Sequence, residues 1–379
     1  MESFMYYEID VVRIKVTATE RINTKEEFVK TRNGMKIQKI IMLSKDVDQW
    51  NGKHLVYFVG GGNRIVKSKE LDLQNWQWST DRGITVHLFN YPGLGKSKNS
   101  FTFRNDRVES GIVVVTDLLK NGVKPDNIIL FGDCFGGHVA AEVHKNFKNN
   151  DIHLRCVVSN AASSLKQASL YYFGFIAKLK ILLAPIIKLV LKVFGCHWKT
   201  HKIINSITPY KMYFNREGDK TIKQSAQLAT KIERIEKNGR KKNYQKKEVF
   251  EGFEESEKFF KQHTMLIKND ECIDHKRTNK GIHGLPIKCL KSSNEAGYTF
   301  PKLISLYIQK TDAYFAERGS LNDEKKVEEF RRSKFYEDFS GYTNSENFLH
   351  NHAHPSGSFQ RVKLESRKKE DRSQCRALR

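Results

Sequence analysis

Residues 127–147 read NIILFGDCFGGHVAAEVHKNF. An apolar run, Ile128 to Phe131, ends in Gly-Asp-Cys-Phe-Gly-Gly, and apolar residues then recur at helical spacing, at Val139, Val143 and Phe147. The first half has the form of a fully buried strand and the second that of a helix, with almost no residues left between them for a loop. So tight a corner strains the backbone at its central residue and leaves room only for small residues two positions before and two after it. Gly132 and Gly136 hold those positions around Cys134, and Gly137 lets the helix approach its own strand. A side chain on such a corner stands over the carboxyl edge of a parallel sheet, where open α/β folds bind their ligands. Amides at the start of a helix favour an anion, and therefore a thiolate. Cys134 is thus the candidate nucleophile. The alternative is a buried structural cysteine whose glycines serve packing alone.

Working outward, the same grammar repeats. On the N-terminal side, YYEIDVVRIKVTA (6–18) alternates polar and apolar residues, as a half-buried strand does, and TRNGMKIQKIIML (31–43) sets Asn33-Gly34 before a second such run, a hairpin signal. HLVYFVGGGN (54–63) is a continuous apolar strand ending in three glycines. ELDLQNWQWSTDRG (70–83) reads as a helix closed by Gly83, and ITVHLFNYPGLGKSKN (84–99) as a buried strand running into a Pro/Gly loop. DRVESGIVVVTDLLKNG (106–122) is helical in pattern, and IHLRCVVSNA (152–161) is again a strand. Strands and helices alternating at this pitch predict a mostly parallel, doubly wound α/β sheet.

Beyond Ala162 the pattern changes. Residues 171–198 are the most apolar segment and long enough to suggest a membrane span, but Lys178, Lys180, Lys188 and Lys192 interrupt it and Pro185 breaks it. Three of those lysines share one third of a helical wheel, so the segment reads as an amphipathic lid or membrane-surface helix, with a buried core helix as the alternative. YKMYFNREGDKTIKQSAQLATKIERI (210–235) returns to strand, loop and helix, and 233–262 is a solvated Lys/Glu-rich helical insertion. TMLIK (264–268) is a short strand, and TFPKLISLYIQKTDAYF (299–315) an amphipathic helix with Pro301 in its first turn. From about Gly319 the chain is charged, and its end is expected to be disordered. The expected divisions are 1–162, the N-terminal half of the sheet domain; 163–207, the apolar helical lid; 208–317, the C-terminal half; and 318–379, a charged extension.

Composition narrows the partners. The net charge of +23 over 379 residues suits an anionic surface, nucleic acid or the cytoplasmic leaflet, but the lysines are scattered and no nucleic-acid-binding motif accompanies them. A lysine-rich source proteome would give the same charge. Six cysteines lie apart with no CxxC pair, so neither a zinc site nor a disulfide framework is expected. Residues 1–10 lack the form of a signal peptide, which predicts a cytosolic-type protein or one exported without such a signal. No oligomerisation signal is visible.

The three stretches VYFVGGGN, FNYPGLGKS and FGDCFGGHVAA stand in the order and at the spacing of the alpha/beta-hydrolase superfamily, which the chain resembles over roughly residues 50–315. It is also similar to the hydrolase-like secreted effectors of intracellular bacterial pathogens, in the loop after the fourth strand and in its polar C-terminus. The resemblance implies a helical lid, no cofactor or metal, and three further site elements. The first is an oxyanion hole formed by the Phe135 amide and the Gly60-Gly61-Gly62-Asn63 loop, chiefly Gly61 and Gly62; each such donor contributes about 3 kcal/mol to the transition state. The second is an acid after the strand that follows the lid, at Asp219, with Glu217 as alternative; Asp219 also reads as a helix cap before Thr221. The third is a histidine beyond the last strand. His283, in an H-x-x-P-I run, stands where the fold needs it; the rivals are His275 and the cluster His350, His352 and His354, of which His352 is the principal alternative. Alternate histidines suggest a metal, but no carboxylate or cysteine cluster flanks them. His138, four residues past Cys134, is expected to point away from the site.

The superfamily usually carries serine at the corner, and cysteine departs from it. The resemblance therefore implies a hydrolase cleaving an ester, thioester or lipid acyl bond through a thioester, with acyl transfer open as well. The alternative is a catalytically inactive scaffold that binds a partner protein or an anionic membrane. The apolar face of 171–198 points to an acyl or lipid substrate and to peripheral membrane contact.

Overall fold

The computed structural model describes residues 22–32, 34–44, 51–60, 76–97, 104–165, 167–168, 185–186, 189, 198–206, 211–216, 219, 221–222, 224–228, 230–232, 234, 265–268, 290–292 and 299–332. The chain divides into two units, 1–343 and 344–379, and every described residue belongs to the first.

The described strands are β1 (Ile22–Lys30), β2 (Lys36–Ser44), β3 (His54–Phe58), β4 (Thr85–Phe89), β5 (Ile128–Asp133), β6 (Arg155–Ser159), β7 (Lys211–Arg216), β8 (Met265–Lys268) and β9 (Leu290–Ser292). The described helices of seven residues or more are α1 (Arg104–Lys120), α2 (Phe135–Lys148), α3 (Thr200–Ser206), α4 (Phe300–Arg318) and α5 (Glu324–Arg332). All nine strands join one sheet in the order β1-β2-β4-β3-β5-β6-β7-β8-β9. Strands β3 to β8 run parallel, while β2 and β9 run antiparallel to their neighbours β4 and β8.

The central strands are buried on both faces, which explains their unbroken apolar runs: every residue of β3, β4 and β6 is buried. Register separates the faces. On one, Phe58, Gly132 and Val158 align across β3, β5 and β6 and receive α1 and α2. On the other, Tyr57, Phe131 and Phe214 meet Trp76 and Phe300, with Phe131 and Phe300 centroids 5.5 Å apart and Phe214 and Phe300 4.9 Å apart. Because β4 lies on one side of β3 and β5 on the other, the connection after β3 leaves by one face and that after β5 by the other. The order therefore reverses between β3 and β5, and the carboxyl ends of strands at such a reversal are where open α/β sheets bind their ligands.

The hairpin expected at Asn33-Gly34 is present: β1 and β2 pair antiparallel, and Gly34 takes φ 76°. Its first strand, however, is the charged stretch 22–30; the strand expected over 6–18 lies outside the described residues, as do the insertion 233–262 apart from Arg234 and most of the segment 171–198. Residues 324–332, within the expected extension, form α5, which buries Val327 and Phe330 and sets the Phe330 ring 5.7 Å from Phe147 at the end of α2.

Candidate active site

The corner between β5 and α2 has the predicted strain. Cys134 takes φ 53° and ψ −116°, a conformation that costs a residue with a side chain on the order of 1–3 kcal/mol and persists only where its surroundings enforce it. Here they do. A methyl group built on Gly136 would lie 1.9 Å from the Phe58 carbonyl oxygen, and one on Gly132 would lie 2.5 Å from the Gly137 Cα. Helix α2 thus starts in direct contact with its own strand and the end of β3, which turns the Cys134 side chain out over the sheet edge. The thiol is free and half-buried. Cys156, by contrast, is sealed in the core on β6, where burial pushes its thiol up to about 12.

The loop after β3 passes beside the corner. A methyl group on Gly60 would stand 3.1 Å from Cys134 Cβ and 3.9 Å from its sulfur. Gly61, Gly62 and Asn63 lie outside the described residues. The other expected oxyanion donor, the Phe135 amide, is the first of α2, and a helix's first amides have no partner within the helix. The Phe135 ring is held from two sides, by the Trp198 indole at a centroid distance of 4.2 Å and by the Arg107 guanidinium 4.8 Å from the ring centroid. Tyr91, from the Tyr-Pro-Gly loop after β4, also faces Arg107 at 5.6 Å, and burial, opposed only in part by that guanidinium, pushes its phenol well above the ordinary range.

Asp219 is buried beyond β7. Its Oδ1 accepts the backbone N–H groups of Thr221 at 2.7 Å and Ile222 at 3.0 Å, and its Oδ2 accepts Nδ2 of Asn160 at 2.6 Å. The side-chain-to-backbone bonds expected of a cap before Thr221 are present, but Thr221 and Ile222 form a bend and not the first turn of a helix, and the second oxygen bonds a residue at the end of β6. Its rival Glu217 lies outside the described residues.

His138 stacks on Trp198 at 4.4 Å, sets Nδ1 3.1 Å from Thr200 Oγ1 and stands 3.8 Å from Glu142. The other described histidines are also engaged elsewhere. His54 and His87 face each other at 2.9 Å inside the sheet, His144 meets the Leu154 carbonyl, His201 meets the Ser163 carbonyl, and His153 is bound to Asn322 through its backbone. His275, His283, His350, His352 and His354 all lie outside the described residues. Among the described residues no cluster of histidine, cysteine and carboxylate side chains could hold a metal ion, and no helix is long and apolar enough to cross a membrane.

Sequence reasoning missed three residues of this region: Asn160, Arg107 and Trp198. Asn160 had a signal, since it immediately follows a buried strand in VVSNA, where ligands gather at a sheet edge. Arg107 and Trp198 had none, because each reaches the corner only through tertiary packing.

The parallel strand order with an antiparallel β2, the strained corner after β5 and the buried Asp219 beyond β7 define an alpha/beta-hydrolase-like fold. No family model matches the chain, and no curated protein matches it. Solved structures do align. A fungal esterase from Rhizomucor miehei aligns at 16% identity and TM-score 0.48, over 82% of this chain and 88% of its own. An esterase from Pyrococcus furiosus aligns at 17% and 0.43, over 62% and 85%, and carboxyl esterase 2 from Tuber melanosporum at 17% and 0.43, over 61% and 77%.

Proposed function

We propose that the protein is a cysteine-nucleophile hydrolase of carboxylic esters, thioesters or lipid acyl groups. The observation that carries this reading is the left-handed backbone of Cys134, a strain of the kind that clusters at functional sites. A buried thiol used only for packing, as Cys156 is, needs no such backbone.

In the proposed reaction His283 takes the thiol proton, and the Cys134 sulfur attacks the substrate carbonyl carbon. The oxygen becomes an oxyanion held by the Phe135 amide and an amide of Gly61 or Gly62. The bond to the leaving group then breaks, and the imidazolium returns its proton to that group. Water, activated by the same histidine, attacks the thioester; the carboxylic acid leaves and the thiol is restored. Asp219 keeps the imidazole in the right tautomer and stabilises its charged form. If an alcohol or amine takes the place of water, the same steps transfer the acyl group.

The segment 171–198 would cover the site. Its residues Ile186 and Leu189 are exposed at 56% and 62%, and with Lys188 and Lys192 they would suit contact with an anionic membrane surface.

A panel of p-nitrophenyl esters with acyl chains of two to about twelve carbons tests the reading. Turnover is expected in the wild type, lost at least about a hundredfold in Cys134→Ala. Equal turnover in the two proteins would overturn the cysteine mechanism, and no turnover in either would leave a scaffold that binds without catalysis.

A further inference from the structure

We infer that Asn160 is a positioning residue for the acid Asp219, an inference that rests on the hydrolase reading above. Asn160 directly follows β6, which lies between the strand leading to the nucleophile and the strand leading to the acid. Two consecutive residues tie the three strand ends together. The Cys134 N–H donates to the Ser159 carbonyl at 2.9 Å, and the Asn160 N–H donates to the Phe214 carbonyl of β7 at 2.8 Å. The separation of nucleophile and acid is thus set by the end of β6.

The Asn160 side chain extends this coupling to the carboxylate itself. The residue is fully buried and takes φ 52°, a left-handed conformation that asparagine tolerates better than most residues with a side chain. That backbone allows Nδ2 to reach Asp219 Oδ2 at 2.6 Å. The Asn160 amide and the two backbone donors on Oδ1 hold the carboxylate in one orientation, and so set the direction in which it meets an imidazole N–H. Asn160 touches neither substrate nor nucleophile in this account; it acts only through Asp219.

Two substitutions separate this role from a purely structural one. Asn160→Gly keeps the left-handed backbone and the bond to Phe214 but removes the side-chain donor. Asn160→Asp keeps shape and backbone tolerance but sets one carboxylate against another. With the best p-nitrophenyl ester, both variants are expected to lose kcat about tenfold or more, with KM within about threefold of wild type. In an Asp219→Asn background the further effect of Asn160→Gly is expected to fall below about twofold, because the two residues act as one unit. Wild-type kcat in both single variants overturns the inference, as does an Asn160→Gly loss that is equally large with and without Asp219. The Asp variant keeps the test open should the Gly variant fold poorly. A wild-type protein without turnover and without Cys134 alkylation would instead remove the hydrolase reading, a result distinct from tolerance of the Asn160 variants by an active enzyme.

Discussion

At the scale of single residues, the site is defined by positions where ordinary side chains do not fit. Gly136 is the sharpest case. Its Cα sits so close to the end of β3 that a methyl group would overlap the Phe58 carbonyl oxygen, and a backbone atom cannot rotate aside as a side chain would. Gly136→Ala is therefore expected to destabilise the protein by about 1–3 kcal/mol or more, measured by urea unfolding, and to lower the reactivity of Cys134 by displacing the start of α2. A variant with wild-type stability would show that the corner is looser than described. This geometry was legible in the sequence, because a strand and a helix with almost no residues between them leave one solution. The hydrogen bond from Asn160 to Asp219 was not, since it joins residues 59 apart that meet only after two further strands have paired.

At the scale of elements, continuous apolar runs identified β3, β4, β5 and β6, and the alternation of strand and helix gave the parallel order of the central sheet. Where burial is one-sided, the signal failed. The β1 strand, INTKEEFVK, has Lys25 and Glu26 exposed and reads as polar from Asn23 to Glu27, but its pairing with β2 over nine residues and the burial of Val29 hold it at the sheet edge. Charge on an edge strand also discourages pairing with other chains. Helix α5, EKKVEEFRR, was hidden for the same reason: only Val327 and Phe330 face the protein, and the other residues carry charge. Asn322 secures the turn before it, donating to Asp126 Oδ1 at 2.7 Å and to the His153 carbonyl at 2.9 Å.

At the scale of the whole molecule, a chain of net charge +23 has a sheet that holds buried ionisable groups of its own. Lys39 on β2 is buried against Asp117 of α1 and lies 3.0 Å from Glu27. Burial opposes its charge, but the two carboxylates outweigh burial and hold the ammonium above its usual range. Three histidines are buried in the neutral form. His54 is pushed down to about 3 by burial and then by Lys39; His144 is pushed to about 3 by burial foremost; and His87 is held well below its usual value by burial, His54 and Lys39. The sign of the pH dependence follows. Below about pH 6.5 the unfolded chain protonates these rings and the folded protein does not, so stability falls as pH drops from 6.5 toward 3, by up to about 1.4 kcal/mol per pH unit for each ring. Urea midpoints should decline steadily between pH 6.5 and 4.5. A flat profile there would contradict neutral burial of the three rings.

The proposed function needs the half-buried Cys134 thiol to be a reactive nucleophile on its strained corner, and alkylation of the folded protein tests this most directly. With iodoacetamide at pH 7, peptide mapping is expected to find Cys134 modified at least about tenfold faster in the folded protein than after unfolding, with Cys156 unmodified until the protein unfolds. A Cys134 thiol that reacts no faster in the folded protein than after unfolding would contradict the account.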